Sequence, residues 1–195
     1  MDLLERYPQM NTCLKDIESA LSLMIETYKN GGKILVCGNG GSASDADHIV
    51  GELMKGFKLP RKVNDERIPR ELRDKLQGAL PAISLCAQAS LITATINDSD
   101  ADMIFAQQVY GYAKTNDLLI AISTSGNSKN VVNAVKVANA IGVKAVALTG
   151  KTGGVLKDLA DVTICAPSTE TYKIQEYHLP IYHYLCAKVE EEFFG

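Results

Sequence analysis

Five short apolar runs, at 33–37, 80–85, 117–122, 143–148 and 161–165, recur along the chain with helix-periodic segments between them. Their apolar residues follow one another instead of alternating with polar ones, the pattern of strands covered on both faces. Connections long enough to hold a helix join parallel neighbours, and such crossovers are right-handed. The alternation therefore predicts an α/β fold, a three-layer α/β/α sandwich around a five-stranded parallel sheet.

The first helical segment runs from about Gln9 to Asn30, with Leu14, Ile17, Leu21, Met24, Ile25 and Tyr28 at three- and four-residue intervals. It stops at Asn30-Gly31-Gly32, a glycine-type helix end. The last segment, Thr171 to Phe194, sets Ile174, Ile181, Leu185 and Val189 toward one face, and Pro180 is expected to bend or divide it. At 195 residues the chain fits a single domain, 1–195. The rhythm is interrupted at about 55–78, where Lys, Arg, Asp and Glu cluster around Pro60 and Pro69. That stretch reads as a charged surface insertion, placed to overhang a site, with a short helix at Arg70 to Gln77.

A formal net charge of −3 supplies no overall positive potential for nucleic acid or an anionic membrane. A negatively charged ligand must then be held by local dipoles and hydroxyls. Met1 to Pro8 lacks the apolar core of a signal peptide, and no later run reaches membrane-spanning length, so the expected location is the cytoplasm. The 5 cysteines, Cys13, Cys37, Cys86, Cys165 and Cys186, are scattered and include no C-x-x-C pair. They read as reduced, mostly buried thiols instead of a disulfide framework or thiolate zinc site.

Two strand-to-helix turns carry the chemistry. Gly38-Asn39-Gly40-Gly41-Ser42-Ala43-Ser44-Asp45 follows the first strand and precedes the helix of His48; Ser123-Thr124-Ser125-Gly126-Asn127-Ser128 follows the third strand. Glycines let the backbone turn tightly, and free N–H groups at a helix start together with hydroxyls suit a phosphate. Ser and Asn also cap helices; four hydroxyls in the second turn favour phosphate over capping. The first turn does not place the third glycine of G-x-G-x-x-G, so a dinucleotide site is not supported. Gly150-Lys151-Thr152 resembles the end of a P-loop, but the required first glycine falls at Ala145, within a strand.

Taken together, the Gly-Asn-Gly-Gly-Ser turn, the His-x-x-x-Glu helix, the Ser-Thr-Ser-Gly-Asn-Ser turn, Leu148-Thr-Gly-Lys151 and Ile174-Gln-Glu176 resemble the phosphoheptose isomerases of the SIS, or sugar isomerase, superfamily. The resemblance implies a flavodoxin-like SIS domain and aldose–ketose isomerisation of sedoheptulose 7-phosphate to glycero-manno-heptose 7-phosphate. It also implies a homotetramer with active sites at subunit boundaries, and one zinc ion per subunit. The tetramer is expected to bury the apolar faces of the first and last helices between subunits, since one five-stranded sheet does not need both. On the matching positions, the metal ligands are His48, Glu52, Gln175 and His183, and Glu52 and His183 are the catalytic pair. The substrate and phosphate contacts are Asn39, Gly40, Gly41, Ser42, Asp98, Ser123, Thr124, Ser125, Ser128 and Gln175. Two positions depart from the family pattern: Gly56 stands where it has Arg, and Tyr172 where it has Asp. They keep a different ketose or aminosugar phosphate open as substrate. A non-catalytic SIS protein that binds phosphosugars or a replication initiator is the reading from another class, and retention of Glu52 and His183 counts against it.

Spacing supports the same residues. His48 and Glu52 stand at i and i+4, one turn apart on one helix face. Gln175 and His183 are separated by about 80° around an ideal helix, while His178 lies roughly 140° from His183 and points elsewhere. An isomerase needs a base to take a carbon-bound proton beside a carbonyl and an acid to stabilise the enediolate oxygen. Glu52 suits the first role and His183 the second.

Overall fold

The computed structural model describes residues 3–195. Its strands are β1 (Ile34–Gly38), β2 (Ala82–Ser84), β3 (Leu118–Ile122), β4 (Lys144–Thr149) and β5 (Val162–Cys165). They form one sheet of order β2-β1-β3-β4-β5, every pair parallel. The helices are α1 (Leu3–Arg6), α2 (Leu14–Lys29), α3 (Gly41–Met54), α4 (Arg70–Arg73), α5 (Ala89–Asp98), α6 (Ile104–Tyr112), α7 (Lys129–Ala140), α8 (Leu156–Leu159) and α9 (Thr171–Phe194).

The continuous apolar runs do what their composition requires. In β1, Ile34 and Val36 face the layer built from α2, α3 and α9, where Ile17, Met24, Ile49, Leu53, Ile181 and Leu185 are buried. Leu35 and Cys37 face the opposite layer, with Phe105 and Val109 of α6 and Val131 and Val135 of α7. Strand order reverses between β1 and β3, and a crevice opens beyond the carboxyl ends of strands at such a point. Both candidate phosphate turns leave the sheet there.

Three expectations change. The α-helix of the first segment begins at Leu14, because Pro8–Cys13 forms a 3-10 turn that buries Met10 and Cys13. The final segment is one helix through Pro180. A proline interrupts one backbone hydrogen bond and disfavours a helix interior by about 3 kcal/mol; here Pro180, Ile181 and Tyr182 are all buried, which offsets it. Part of the apolar faces of α2 and α9 is consumed inside the chain: α2 packs on α9, β3 and β5, and Ile17, Met24, Ile174, Ile181, Leu185 and Val189 are buried there, while Leu14, Leu21 and Ile25 stay half-buried. Finally, 55–78 is not a wholly superficial excursion. Its short helix covers Arg70–Arg73 only, and Arg61 is among the most completely buried side chains of the described residues.

Candidate active site

Helix α3 starts at the carboxyl end of β1, with Gly40 at φ +56° in the region that favours glycine. Ser42 is buried and its N–H donates to the Asn39 carbonyl (3.0 Å). The opposite turn brings three hydroxyls together: Ser123 Oγ lies 3.0 Å from Ser128 Oγ and 3.5 Å from Ser125 Oγ. Ser128 occupies the N-cap position of α7 without making a side-chain cap bond, so its hydroxyl faces the other serines and not its own helix. The turn is rigid. Gly126 has φ +68°, and a Cβ there would sit 1.9 Å from the Gly153 carbonyl oxygen. Asn127 donates to the Ser125 carbonyl (2.9 Å) and accepts from Val155 N–H (2.9 Å). Across the crevice Asn39 and Asn130 form a reciprocal amide pair, at 2.9 and 3.0 Å, which ties the two turns together.

A second group of polar side chains lies where α3 and α9 meet. His48 Nε2 is 3.1 Å from Glu52 Oε1 and 3.3 Å from His183 Nε2. One nitrogen or oxygen from each of His48, Glu52 and His183 falls within 4.8 Å of the other two. The remaining Glu52 oxygen, Oε2, is buried without a hydrogen-bond partner. The other His48 nitrogen, Nδ1, is 3.0 Å from the Tyr182 hydroxyl, which donates to Asp45 Oδ1 (3.2 Å). Burial, and then the adjacent His48, pushes His183 below the ordinary imidazole range, with Glu52 acting in the opposite sense. Burial raises Asp45 against the opposing pull of the Tyr182 bond and His48. Two imidazoles and a carboxylate with an unpartnered buried oxygen form a nitrogen-and-oxygen donor set of the kind that zinc takes.

The sequence-named residues thus gather into two groups. Ser123, Ser125 and Ser128 converge on one turn, with Thr124 half-buried beside them. His48, Glu52 and His183 converge on the second. Gln175 reaches the first turn: a Cβ on Gly41 would fall 2.4 Å from its Nε2, so the absence of a side chain at Gly41 makes room for the amide. Asp98 stands at the exposed end of α5, where it accepts from Asn97 (2.7 Å) and touches neither group. His178 is buried on the sheet side of α9, its Nε2 3.1 Å from the Thr149 carbonyl oxygen, as its angle around the helix implied. Of the two departures, Tyr172 is exposed, and Gly56 is enclosed: a Cβ would meet Gln77 Oε1 at 2.8 Å and the Leu59 carbonyl oxygen at 2.9 Å. An arginine there requires a different path for the following loop.

Sequence reasoning missed Tyr182, Asp45 and Asn130. Asp45 and Tyr182 neighbour residues that were singled out, but only the docking of α9 on α3 brings them together.

The parallel sheet and its switch-point crevice define an α/β fold with a polar site at the carboxyl ends of its strands, and comparison with known proteins gives the family. The SIS domain family model matches residues 3–150, which places the chain among the SIS-domain proteins. The phosphoheptose isomerase of Citrifermentans bemidjiense is 44% identical over 178 residues, 91% of this chain and 84% of the relative. The phosphoheptose isomerase structures from Francisella tularensis and Neisseria gonorrhoeae superpose with TM-scores of 0.81 and 0.78, each at 34% identity. They cover 95% and 94% of this chain respectively, and 91% of each solved chain. The chain belongs to the phosphoheptose isomerase family of SIS-domain enzymes. Among the described residues no helix is long and apolar enough to cross a membrane.

Proposed function

We propose that the protein isomerises sedoheptulose 7-phosphate to D-glycero-D-manno-heptose 7-phosphate through an enediolate, with Glu52 and His183 as the proton-handling pair. The observation that carries this reading is the meeting of Glu52 with His48 and His183 at the contact of α3 and α9, with α3 rising directly from the glycine turn that Asn39 ties to the start of α7. Ser42, Ser123, Ser125 and Ser128 hold the phosphate through hydroxyls, and the paired Asn39 and Asn130 fix the separation of the two turns. Glu52 takes the proton from C1 of the ketose and returns it to C2. His183, which burial and the adjacent His48 push below its ordinary value, donates a proton to the C2 oxygen and recovers one from the C1 hydroxyl. Atoms balance with no external reductant.

The donor set fits zinc: His48, Glu52 and His183 would hold it, with ligation and proton transfer by Glu52 and His183 belonging to different states of the site, and Gln175, whose amide lies against Gly41, is proposed as the fourth ligand. Zinc held there would supply Lewis-acid polarisation of the substrate carbonyl. The Asp45–Tyr182–His48 chain orients the His48 ring, as outer partners of metal-ligating histidines do.

A cytoplasmic homotetramer completes the proposal. Its support is the exposed apolar surface of α5 and α6, where Leu91, Ile96 and Tyr110 are 36%, 49% and 70% accessible, and the isolation of Asp98 on that same helix. Asp98 then serves a neighbouring subunit's site. The test is an isomerase assay on heptose, hexose, pentose and aminosugar phosphates, with zinc supplied and with zinc removed. Zinc-dependent turnover restricted to the heptose is the expected result; turnover of another sugar, or none, overturns it.

A further inference from the structure

The 55–78 segment is anchored by an ion pair that has no role in the proposed chemistry, and its partners are the clue to what it does. Arg61 and Glu190 are both fully buried and meet at 2.8 Å (Nε to Oε1). Glu190 also accepts from the backbone N–H groups of Phe57 (2.8 Å), Lys58 (2.7 Å) and Leu59 (3.1 Å). Burial alone pushes the Glu190 carboxyl upward, but these N–H groups and the guanidinium outweigh it and hold the group below its ordinary range. The two remaining arms of Arg61 do not go to side chains. Nη1 donates to the Leu53 carbonyl (2.6 Å) and Nη2 to the carbonyl of Glu52 itself (3.0 Å).

Those carbonyls belong to the last turn of α3, where an α-helix has no internal donors left. Arg61 therefore closes the C-terminus of the helix that carries His48 and Glu52. Through Glu190 it bolts that end to α9, the helix that carries His183, two turns before Glu190. The guanidinium is stacked under the Phe194 ring (4.9 Å), so its plane is held as well.

Building on the isomerase reading, we infer that Arg61 and Glu190 form a positioning pair that sets the distance between Glu52 and His183. A buried ion pair is poor evidence for a stabilising role, because well-packed apolar residues of similar volume often replace it without loss of stability. Proton transfer is more demanding: a displacement near 1 Å is enough to lower the rate by about 10²-fold. The split between kcat and KM, read in folded protein, therefore reports the positioning role and not the stability of the pair.

The test compares the parent with the double variant Arg61→Met/Glu190→Leu and with Glu190→Gln. Each full-length protein is measured for thermal midpoint and for kcat and KM on sedoheptulose 7-phosphate with zinc present. The expected result, measured at a temperature where each protein is folded, is a double variant that melts below the parent, because the Phe57, Lys58 and Leu59 N–H groups and the Glu52 and Leu53 carbonyls lose partners. It keeps KM within about twofold, because the serine turns are intact, while kcat falls roughly 10–100-fold. Glu190→Gln, which keeps the shape and one acceptor, should fall less in kcat, again with KM held; it carries the test alone if the double variant does not fold. Parental kcat in a folded variant overturns the positioning role, as does a loss confined to KM. A parent without turnover on any phosphosugar removes the isomerase reading and this inference with it, and so is distinguishable from failure of the pair alone.

Discussion

Acid should weaken the fold in a window set by His178. This residue sits on α9 between Gln175 and His183, fully buried, with Nε2 against the Thr149 carbonyl at the end of β4. Burial, partly opposed by that hydrogen bond, lowers its pKa from the ordinary 6.5 to about 4. Above about pH 6.5 the ring is neutral in folded and unfolded chains alike, and the fold carries no penalty. As pH falls, the unfolded chain gains a proton that the folded chain refuses, so stability is lost progressively until about pH 4, where the folded ring also protonates. A shift of that size corresponds to about 3 kcal/mol at 1.36 kcal/mol per pKa unit, a large part of a typical 5–15 kcal/mol. The perturbation is His178→Gln, whose amide still donates to Thr149 but has no charge to gain. Urea unfolding of parent and variant at steps between pH 7.5 and 4 isolates the contribution, because every carboxylate titrates in both. The parent should lose about 3 kcal/mol more than the variant across the window. Parallel curves would show that the ring is solvated or already charged in the fold, and the reasoning fails.

Other outcomes follow from single contacts. Ser128→Ala removes a hydroxyl that faces Ser123 and not its own helix, so phosphosugar binding by calorimetry should weaken by roughly 0.5–1.5 kcal/mol with no change in melting; equal affinity would remove Ser128 from the site. Gly126→Ala should lower stability by at least about 1–2 kcal/mol for the left-handed backbone alone, and abolish phosphosugar binding, because the new Cβ has the Gly153 carbonyl in its place. Tyr182→Phe deletes the hydroxyl between Asp45 and His48; zinc affinity measured against a competing chelator should fall about 10–100-fold, while the apo protein stays folded.

The sheet was legible because its strands are nearly continuous apolar runs, β1 and β3 most fully, as strands covered on both faces are. His48 and Glu52 were legible because their partnership is local, four residues apart on one helix. What the sequence hid is contact between distant segments. Nothing near Arg61 announces Glu190, and its neighbours Lys58 and Lys62 make it look like one more solvated cation. Asn39 and Asn130 read separately as turn residues, and only the β1–β3 switch point makes them a pair. Pro180 misled for a related reason: the local rule against proline is correct, but the buried Ile181 and Tyr182 outweigh it.

The central claim is that Glu52 moves a proton on a phosphosugar carbon. The direct measurement is deuterium incorporation next to the carbonyl of sedoheptulose 7-phosphate in heavy water, for the parent and for Glu52→Gln, with zinc supplied. The parent should incorporate deuterium, and Glu52→Gln should slow that incorporation by about 10²–10⁴-fold while still binding the sugar. Incorporation by Glu52→Gln at the parental rate, or none by the parent on heptose, hexose or pentose phosphates, would contradict the account.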